Sequence, residues 1–406
     1  MSVDLPSLDH SDRISITPSS NGESSKHSQP EDIGRLKVAI TCSWLNQYGG
    51  AERVLELLHE IYPDAPIYTS MYAPEVMPTS YRQWDIRTSF MDRLPFVKKH
   101  HQAFLALYPL AFEQFDLSDY DVVISNSSAY SHGVITRPET LHICYCLTPA
   151  RFLWNYHEYI RNESIGWSAK AILPLALNYL RSWDVQATNR VDQFVAISKV
   201  VARRIAKYYR RESAIIYPPI DASKFRLKKV DDVGDFFLII SRLIPYKRID
   251  LAVKAFNELG LPLKIVGDGR HRPYLERIAG PNIEFLGKVG DNEIKELYSR
   301  CKAFIFPGEE DFGLTPLEAQ ASGRPVIAFA GGGARETVVE GETGDFFYEA
   351  TPESLISVLE KFDHRQYDPV TIRTYAERFD VPVFKTQLAQ FVQQNWQKHR
   401  ERMDEE

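Results

Sequence analysis

The sequence predicts an α/β protein with two doubly wound domains that face each other across a cleft. Three observations lead to this prediction: short apolar runs alternate with longer helical patterns, the alternation occurs in two series, and a polar segment separates them. A chain of 406 residues is also longer than one hydrophobic core usually supports. We therefore expect parallel sheets, in which ligands bind at the carboxyl ends of the strands.

The first series defines a predicted N-terminal Rossmann-like domain at 35–220, followed by a charge-rich linker at 221–235. Its predicted strands are 36–41, 120–128, 141–146, 191–198 and 214–219. The second series defines a predicted C-terminal Rossmann-like domain at 236–380. Its predicted strands are 236–241, 263–269, 283–287, 302–308 and 325–333. We expect a final helix at 381–406 that packs back on the N-terminal domain.

Composition excludes several classes of function. Residues 1–34 are rich in Ser, Asp, Glu and Pro and lack an apolar signal-peptide core, which predicts a disordered tail. No segment is predicted to span a membrane. The net charge of -6 argues against a nucleic-acid partner. The four cysteines lack zinc-site spacing, so we expect buried reduced thiols, no metal and a cytoplasmic protein.

The segment PGEEDFGLTPLEAQASGRPV, residues 307–326, is the most informative about function. Glu310 lies just after a predicted strand, and 313–315 lead into a helix. The free N–H groups and positive dipole end of a helix start suit a diphosphate. Glu318, one turn inside, could accept hydrogen bonds from a ribose, and Glu310 could reach sugar hydroxyls. The alternative is a capping box, T-x-x-E at 315–318.

Two cations follow the first strand of the second domain, in SRLIPYKR at 241–248. Arg242 and Lys247 lie where a leaving diphosphate needs charge stabilisation, because Arg offers a bidentate fork and Lys a mobile point charge. The alternative is a solvated loop beside a helix start. Glycines in QYGG at 47–50 and VGDG at 266–269 permit close backbone approach or a positive φ. Neither matches G-x-G-x-x-G, which disfavours a nicotinamide-dependent enzyme.

Taken together, GGAERV, SRLIPYKR, VGDG and the two glutamates within EDFGLTPLEAQASGRPV resemble the family-4 retaining glycosyltransferases of the two-domain GT-B fold. The resemblance extends from residue 35 to the C-terminus. It implies that Arg242 and Lys247 bind the donor diphosphate, that Glu318 holds the ribose and that Glu310 contacts the transferred sugar. The other donor-binding residues that it implies are Gly49, Gly50, Gly267, Asp268, Lys288, Val289, Phe312, Gly313, Leu314 and Thr315. The resemblance also places the nucleotide base near the loop at 287–289.

Two further segments extend the resemblance. In NSSAYSHGV, His132 is implied to face the donor sugar, with a structural histidine as the alternative. YCLTPARFLWNYHEY at 145–159 is similar to the subset that builds bacterial surface polysaccharides, many of which use GDP-mannose. There Arg151, Trp154 and Tyr156 are candidates to line an acceptor sugar, and the alternative is packing of an aromatic-rich helix start.

The resemblance implies retention of configuration without a protein nucleophile or a cofactor. Cations and the helix start would stabilise the departing phosphate while the acceptor hydroxyl attacks from the same face. A two-carboxylate glycosidase is disfavoured, because a glutamate that holds ribose cannot flank a glycosidic bond. We expect transfer of mannose from GDP-mannose to a glycan or polyprenyl-linked saccharide. The alternatives are a UDP-sugar donor, a nucleotide-sugar epimerase and a non-catalytic nucleotide-sugar binding protein.

The segment RLPFVKKHHQAFLALYPLAF, residues 93–112, combines basic and aromatic side chains. Such a face suits a membrane surface that carries a lipid-linked acceptor, so peripheral contact with the inner face of the cell membrane is one expectation. The alternative is an amphipathic core helix with a solvated end.

Overall fold

Two parallel β-sheets with helices packed against them organise the chain in this computed structural model. The structure describes residues 36–155, 167–228 and 232–405. The predicted tail at 1–34, part of the predicted linker and the candidate acceptor residue Tyr156 lie outside the described residues. Leu36–Glu406 forms one compact unit, within which both sheets lie. The prediction of two doubly wound α/β domains is confirmed.

The strands of the N-terminal sheet are β1 (Val38–Cys42), β2 (Ile67–Thr69), β3 (Ile86–Thr88), β4 (Val122–Ser127), β5 (Leu141–Cys146), β6 (Gln193–Ala196) and β7 (Ala214–Ile215). In the described residues these seven strands pair in the order β3-β2-β1-β4-β5-β6-β7, and every pair is parallel. All residues of β1, β4 and β5 are buried. This explains their largely apolar sequences, since a central parallel strand is covered on both faces.

The strands of the C-terminal sheet are β8 (Phe237–Ile240), β9 (Leu263–Val266), β10 (Ile283–Gly287), β11 (Phe304–Phe306), β12 (Val326–Phe329) and β13 (Gly344–Phe347). In the described residues these six strands pair in the order β10-β9-β8-β11-β12-β13, again in parallel. In both sheets the first strand lies in the interior, so the chain reverses direction across the sheet after it. The reversals at β1/β4 and β8/β11 open crevices at the carboxyl ends of these strands.

The helices are α1 (Gly50–Ile61), α2 (Val97–His100), α3 (Tyr108–Glu113), α4 (Arg151–Trp154), α5 (Trp167–Ala187), α6 (Lys199–Tyr208), α7 (Ile249–Leu259), α8 (Arg272–Ile278), α9 (Asp291–Arg300), α10 (Leu314–Ala321), α11 (Ala334–Thr337), α12 (Pro352–Leu359), α13 (Pro369–Ala376) and α14 (Val381–Glu405). Local sequence fixes several of their starts. The Ser198 side chain accepts a hydrogen bond from Val201 N at α6, and the Thr351 side chain accepts one from Ser354 N at α12.

Helix α14 returns to the N-terminal domain after the C-terminal sheet is complete. Lys385 forms an ion pair with Glu60 of α1 at 2.5 Å, and Phe384 packs edge-on against Tyr145 of β5. Near its end, His399 Nε2 lies 2.9 Å from the Pro138 carbonyl oxygen. The helix therefore packs on the N-terminal domain along its length. Within the described ranges, no helix combines the length and apolar character needed to cross a membrane.

Candidate functional site

A cleft of about 2060 Å³ opens where the carboxyl ends of the two sheets approach each other. We call its two sides the N-terminal wall and the C-terminal wall. The N-terminal wall comes from α1, the loop after β5, and α6. The C-terminal wall comes from the loops after β8 and β11 and the start of α10. The loops that carry the predicted site motifs after β1, β4, β8 and β11 follow the strands at which the sheet order reverses.

Glu310, in the loop between β11 and α10, forms an ion pair with Lys247 from the loop after β8. A Cβ on Gly308 would lie 2.7 Å from the Lys247 carbonyl oxygen, so glycine allows the two loops to touch. Lys247 is only 9% exposed, and its ammonium therefore depends on Glu310 for charge compensation. Arg242 is exposed and lines the cleft, and its Nη2 donates to Tyr246 Oη at 3.4 Å. The structure thus brings these predicted residues together.

Gly313 is the N-cap residue of helix α10, and its φ of 92° lies in the left-handed region. Among the described residues no side chain caps the helix. Gly313, Leu314 and Thr315 line the cleft, so the positive end of the helix faces open space. Phe312 stacks on Tyr217 of the N-terminal domain at a centroid distance of 5.4 Å. The helix start is therefore open to an anion, as the diphosphate prediction requires.

Glu318, one turn into α10, points across the cleft. Its Oε1 accepts a hydrogen bond from Arg53 Nη1 of α1 at 3.1 Å, and its Oε2 accepts one from Tyr298 Oη at 2.8 Å. The capping-box alternative for Glu318 is wrong, because its carboxylate faces these partners while Gly313 occupies the N-cap position. Burial raises the pKa of the Glu318 carboxyl, and the Arg53 charge and Tyr298 hydrogen bond oppose that rise.

A glycine-rich loop after β12 supports the glutamate loop from behind. Gly333 N donates to the Glu310 carbonyl oxygen at 2.8 Å, and a Cβ on Gly333 would lie 2.3 Å from Phe312 Cα. Gly332 has a φ of 59°, and a Cβ there would lie 2.2 Å from the Glu310 carbonyl oxygen. Sequence reasoning treated this run only as the end of a strand, although three consecutive glycines indicate close backbone contact.

The glycines of the VGDG turn also support a neighbouring loop, in this case the one that carries Arg242. Gly267 has a φ of 125°, and a Cβ there would lie 1.9 Å from the Ser241 carbonyl oxygen. Asp268 Oδ1 accepts a hydrogen bond from Gly269 N at 2.8 Å. Neither Gly267 nor Asp268 is among the described residues that line the cleft. In this structure the glycines of the turn hold the Arg242 loop in place.

The loop after β10 was the predicted position of the nucleotide base. Lys288 is exposed and Val289 packs against the core, and neither is among the described cleft-lining residues. Three residues just beyond them, Asp291, Ile294 and Lys295, do line the cleft. The base prediction therefore stays a prediction, and the first turns of α9 are the nearest part of that loop to the open space.

The start of α1 brings the N-terminal wall close to the helix start of α10. A Cβ on Gly50 would lie 3.7 Å from the Leu314 side chain, whereas Gly49 is the N-cap residue and is not among the described lining residues. Glu52, in the first turn, is buried, and burial raises the pKa of its carboxyl to about 7. The Arg242 charge across the cleft is one of the effects that oppose this rise.

His132 lies in a short 3₁₀ turn after β4, and its side chain is 3% exposed. Its Nδ1 lies 3.1 Å from Ser127 Oγ, and its Nε2 lies 3.3 Å from Oδ1 of the fully buried Asp184. His132 is not among the described residues that line the cleft. The structure therefore places it behind the N-terminal wall, and its contact with a donor sugar stays a prediction.

Two of the three acceptor candidates are described. Trp154 lines the cleft, stacks on Tyr208 at 4.7 Å and donates from Nε1 to Asp184 Oδ2 at 2.8 Å. Arg151 also lines the cleft, where its Nη2 pairs with Asp311 Oδ2 at 2.5 Å. Both side chains thus have protein partners and still face the open space.

Sequence reasoning missed several residues that complete this site. They are Arg53, Asp184, Arg204, Tyr298 and Asp311. Most sit in helices far along the chain from their partners, so spacing alone carries no signal for them. Asp311 is the exception, since it directly follows Glu310 in the acidic run EED.

Two protein-family models match the chain over the regions just described. The model for Glycosyltransferase Family 4 matches residues 48–224, which form most of the N-terminal domain. The model for Glycosyl transferases group 1 matches residues 221–379, which contain the C-terminal sheet and the glutamate loop. The two matches meet at the boundary between the domains.

Two curated relatives and one solved structure illustrate the similarity. The alpha-1,3/1,6-mannosyltransferase ALG2 of Mus musculus is 25% identical over 85% of this chain and 93% of its own length. The GDP-mannose-dependent alpha-(1-6)-phosphatidylinositol monomannoside mannosyltransferase of Mycolicibacterium smegmatis is 29% identical over 45% of this chain. That match spans only about half of the relative, 54%.

The solved structure is that of Anabaena Alr3699/HepE in complex with UDP. It superposes with a TM-score of 0.65 at 18% sequence identity and covers 88% of this chain and 100% of the other. The same protein has been solved with UDP-glucose. At this level of identity, the similarity establishes the shared two-domain fold.

Proposed function

This chain belongs to the family-4 glycosyltransferases, and we propose that it is a retaining hexosyltransferase that moves mannose from GDP-mannose to a saccharide acceptor. One observation carries the proposal: Arg242, Lys247, Glu310 and the open start of α10 meet on one wall of the cleft. Such a set combines cations for a diphosphate with a carboxylate for sugar hydroxyls.

Each residue has a distinct role in the proposed reaction. Arg242 and Lys247 bind the donor diphosphate and stabilise its charge as the sugar leaves, together with the N–H groups at the start of α10. Glu310 accepts hydrogen bonds from the transferred sugar. Glu318 takes the ribose hydroxyls, for which its contact with Arg53 must open or rearrange. The acceptor hydroxyl attacks from the face that the phosphate leaves, so the configuration is retained.

The proposed reaction uses no metal ion. A D-x-D pair, Asp119 and Asp121, lies at the amino end of β4, where Asp121 Oδ2 accepts a hydrogen bond from Lys37 N. This is the end of the strand opposite to the cleft, so the pair cannot reach a diphosphate held by Arg242. Charge compensation in the proposal therefore comes from protein cations and the helix dipole.

The choice of mannose follows from the relatives, two of which are named as mannosyltransferases. The structural neighbour, in contrast, was solved with UDP and UDP-glucose. A thermal-shift comparison of GDP-mannose, UDP-glucose and ADP-glucose separates these donors. A ligand present at 100 times its Kd stabilises the folded state by about 2.7 kcal/mol, and we expect GDP-mannose alone to reach this level.

Turnover is tested by incubating the protein with GDP-mannose and a simple α-mannoside acceptor, with proton NMR to assign the anomer. We expect GDP release that depends on the acceptor, and an α-linked product. Stabilisation by UDP-glucose instead would contradict the donor assignment. Binding without release of nucleotide would contradict the transferase itself and favour a binding protein, and isomerised donor sugar would favour an epimerase.

For the acceptor, we propose a glycan or polyprenyl-linked saccharide that enters along the N-terminal wall beside Trp154. Segment 93–112 supports a peripheral membrane contact. It forms α2, a 3₁₀ stretch and α3 rather than one amphipathic helix. Phe96 is 77% exposed, Lys99 is exposed beside it, and Lys98 pairs with Asp92 at 3.1 Å. An exposed aromatic side chain next to the exposed Lys99 suits an anionic lipid interface.

Sedimentation with vesicles that contain phosphatidylglycerol tests this contact. Phe96 has a φ of 63°, which aspartate tolerates, so Phe96→Asp with Lys99→Glu changes the surface without new backbone strain. We expect this double variant to lose vesicle binding. Val370→Asp, at an apolar residue of α13 that is 60% exposed, is the matched control. Equal binding of wild type and the double variant would rule out the contact.

A further inference from the structure

Asp311 joins the two walls of the cleft through two arginines. Its Oδ1 pairs with Arg204 Nη1 of α6, and its Oδ2 pairs with Arg151 Nη2 of α4 at 2.5 Å. Arg204 Nη1 also donates to Thr148 Oγ1 at 3.1 Å. The Asp311 side chain is 11% exposed, so this carboxylate is largely removed from water with one arginine on each oxygen. Both arginines belong to the N-terminal domain, and Asp311 belongs to the C-terminal domain.

The neighbours of Asp311 show what this contact holds in place. Glu310 precedes it and pairs with Lys247, and Phe312 follows it and stacks on Tyr217. Gly333 supports the same loop from the C-terminal side. Asp311 is therefore the point at which the donor loop, residues 307–313, is fixed to the opposite domain by charge.

We propose that Asp311 is a positioning residue, which acts through Arg151 and Arg204 to hold the donor loop against the N-terminal wall and so aligns Glu310 with the acceptor. The inference rests on the proposed transferase function. A retaining transfer needs donor and acceptor atoms in contact, and these come from different domains. A displacement of about 1 Å at such a point lowers a rate by as much as roughly 100-fold. The contact acts on the alignment of the reacting groups and leaves the nucleotide contacts of the C-terminal wall unchanged.

The test is a double-mutant cycle with Asp311→Asn and Arg204→Gln. We expect each single variant to lower kcat for sugar transfer by roughly 10- to 100-fold, because alignment is lost. The double variant should fall no more than about twofold below Asp311→Asn, since Asp311→Asn already removes the contact that Arg204→Gln removes. The Kd for GDP, measured by calorimetry, should change by less than about threefold. Lys302→Gln, which removes an ion pair with Asp235 at the end of the linker and away from the cleft, is the control with unchanged kcat.

Small-angle scattering of the same variants reports on the contact without any catalysis. We expect a larger radius of gyration for Asp311→Asn and for Arg151→Gln than for Lys302→Gln. If wild type neither binds GDP nor transfers sugar, the proposed function fails, while the scattering still tests the domain contact. Unchanged kcat with an unchanged radius would overturn the positioning role. So would additive losses in the cycle, or a loss of GDP affinity equal to the loss of kcat.

Discussion

The two walls of the cleft differ in how their residues are encoded. On the C-terminal wall, Arg242, Lys247 and Glu310 come from contiguous motifs that follow β8 and β11, and they meet as the motifs predict. On the N-terminal wall, the loop motifs lie partly behind the surface, as His132 shows. Three of the side chains that reach across from it, Arg53, Arg151 and Arg204, are arginines of helices. The residues that are proposed to bind the phosphates are therefore close to strand ends in the sequence, whereas contact between the domains depends on tertiary packing.

The walls also differ in charge where they touch. The C-terminal wall presents carboxylates, Asp311 and Glu318, and the N-terminal wall presents Arg53, Arg151 and Arg204. The donor loop is therefore proposed to serve two purposes: one face contacts the donor, and the other binds the opposite domain. Variants that affect only one of these two purposes test this difference between the walls.

The largest effect is expected on the C-terminal wall. Arg242→Ala removes the exposed cation that is proposed to face the leaving diphosphate, and loss of such a group raises the activation free energy by about 3–4 kcal/mol. We expect kcat to fall by about 100- to 1000-fold while the melting temperature stays close to that of wild type. Steady-state transfer assays and thermal unfolding measure the two quantities.

Arg300→Ala is the control for Arg242, because Arg300 is also an exposed arginine and pairs with Glu296 at 3.9 Å away from the cleft lining. A loss of activity in Arg300→Ala comparable to that in Arg242→Ala would mean that general surface charge, and not the site, explains the effect.

A second variant, at Glu52 of α1, tests how the stability of the N-terminal wall depends on pH. The pKa of Glu52 rises from 4.5 to about 7 on folding, mainly because the carboxyl is buried. The folded state therefore keeps a proton that the unfolded state has lost, and stability falls as pH rises from about 4.5 to about 7. At 1.36 kcal/mol per pKa unit, the loss is roughly 3 kcal/mol.

Glu52→Gln removes this titration. We expect the variant to match wild type near pH 4.5 and to be more stable by up to about 3 kcal/mol at pH 8. Denaturant unfolding at the two pH values measures the difference. An equal offset at both pH values would contradict the assignment of the titration to Glu52.

Much of the fold could be predicted from sequence because parallel strands between helices form continuous apolar runs. Strands β5 and β10 have the predicted bounds, 141–146 and 283–287. Strands β2, β3 and β13 were not predicted. The first two are only three residues long, and β13, GDFF, alternates too briefly to show a period. These three strands form by pairing with β1, β2 and β12, and local sequence alone does not show such pairing.

The residues of the site also differ in how well the sequence predicts them. The cations, the glutamates and the open helix start could be predicted because each lies within a few residues of a strand end. The partners Arg53 and Arg204 could not, since 265 residues separate Arg53 from Glu318 and 107 separate Arg204 from Asp311. The capping-box alternative was wrong for a related reason. Glu318 accepts one hydrogen bond across the cleft, from Arg53, and one from Tyr298 of α9, and neither partner lies at capping-box spacing.

A smaller effect is expected from the support of the donor loop. Gly333→Ala places a Cβ within 2.3 Å of the Phe312 backbone, so the two loops must separate. Overpacking of this kind lowers the free energy of unfolding by about 1–3 kcal/mol. We also expect weaker binding of GDP-mannose but little change for GDP, measured by calorimetry, because Glu310, the proposed sugar contact, moves with the Phe312 loop.

Gly290→Ala is the matched control for this variant, since nothing lies within 4 Å of a Cβ at Gly290 and its φ is negative. A shift of less than about 0.5 kcal/mol is expected for it, as at most surface positions. Equal destabilisation of both variants would show that loss of glycine flexibility, and not loop contact, is responsible.

The smallest effect on stability is expected from Arg53→Met, which breaks the ion pair with Glu318. Arg53 is 55% exposed, and exposed ion pairs contribute about 0–1 kcal/mol to the free energy of unfolding. The Arg53 charge holds down the pKa of the buried Glu318 carboxyl, so its removal lets that pKa rise further. We therefore expect nearly normal stability but a GDP affinity that weakens at a higher pH than in wild type as pH falls. Calorimetric titrations between pH 5.5 and 8 measure this shift.

If the pH dependence of affinity is the same in both proteins, Glu318 does not bind the ribose as a carboxylate. A loss of more than about 2 kcal/mol of stability would instead make Arg53 part of the domain contact, on a par with Arg151 and Arg204.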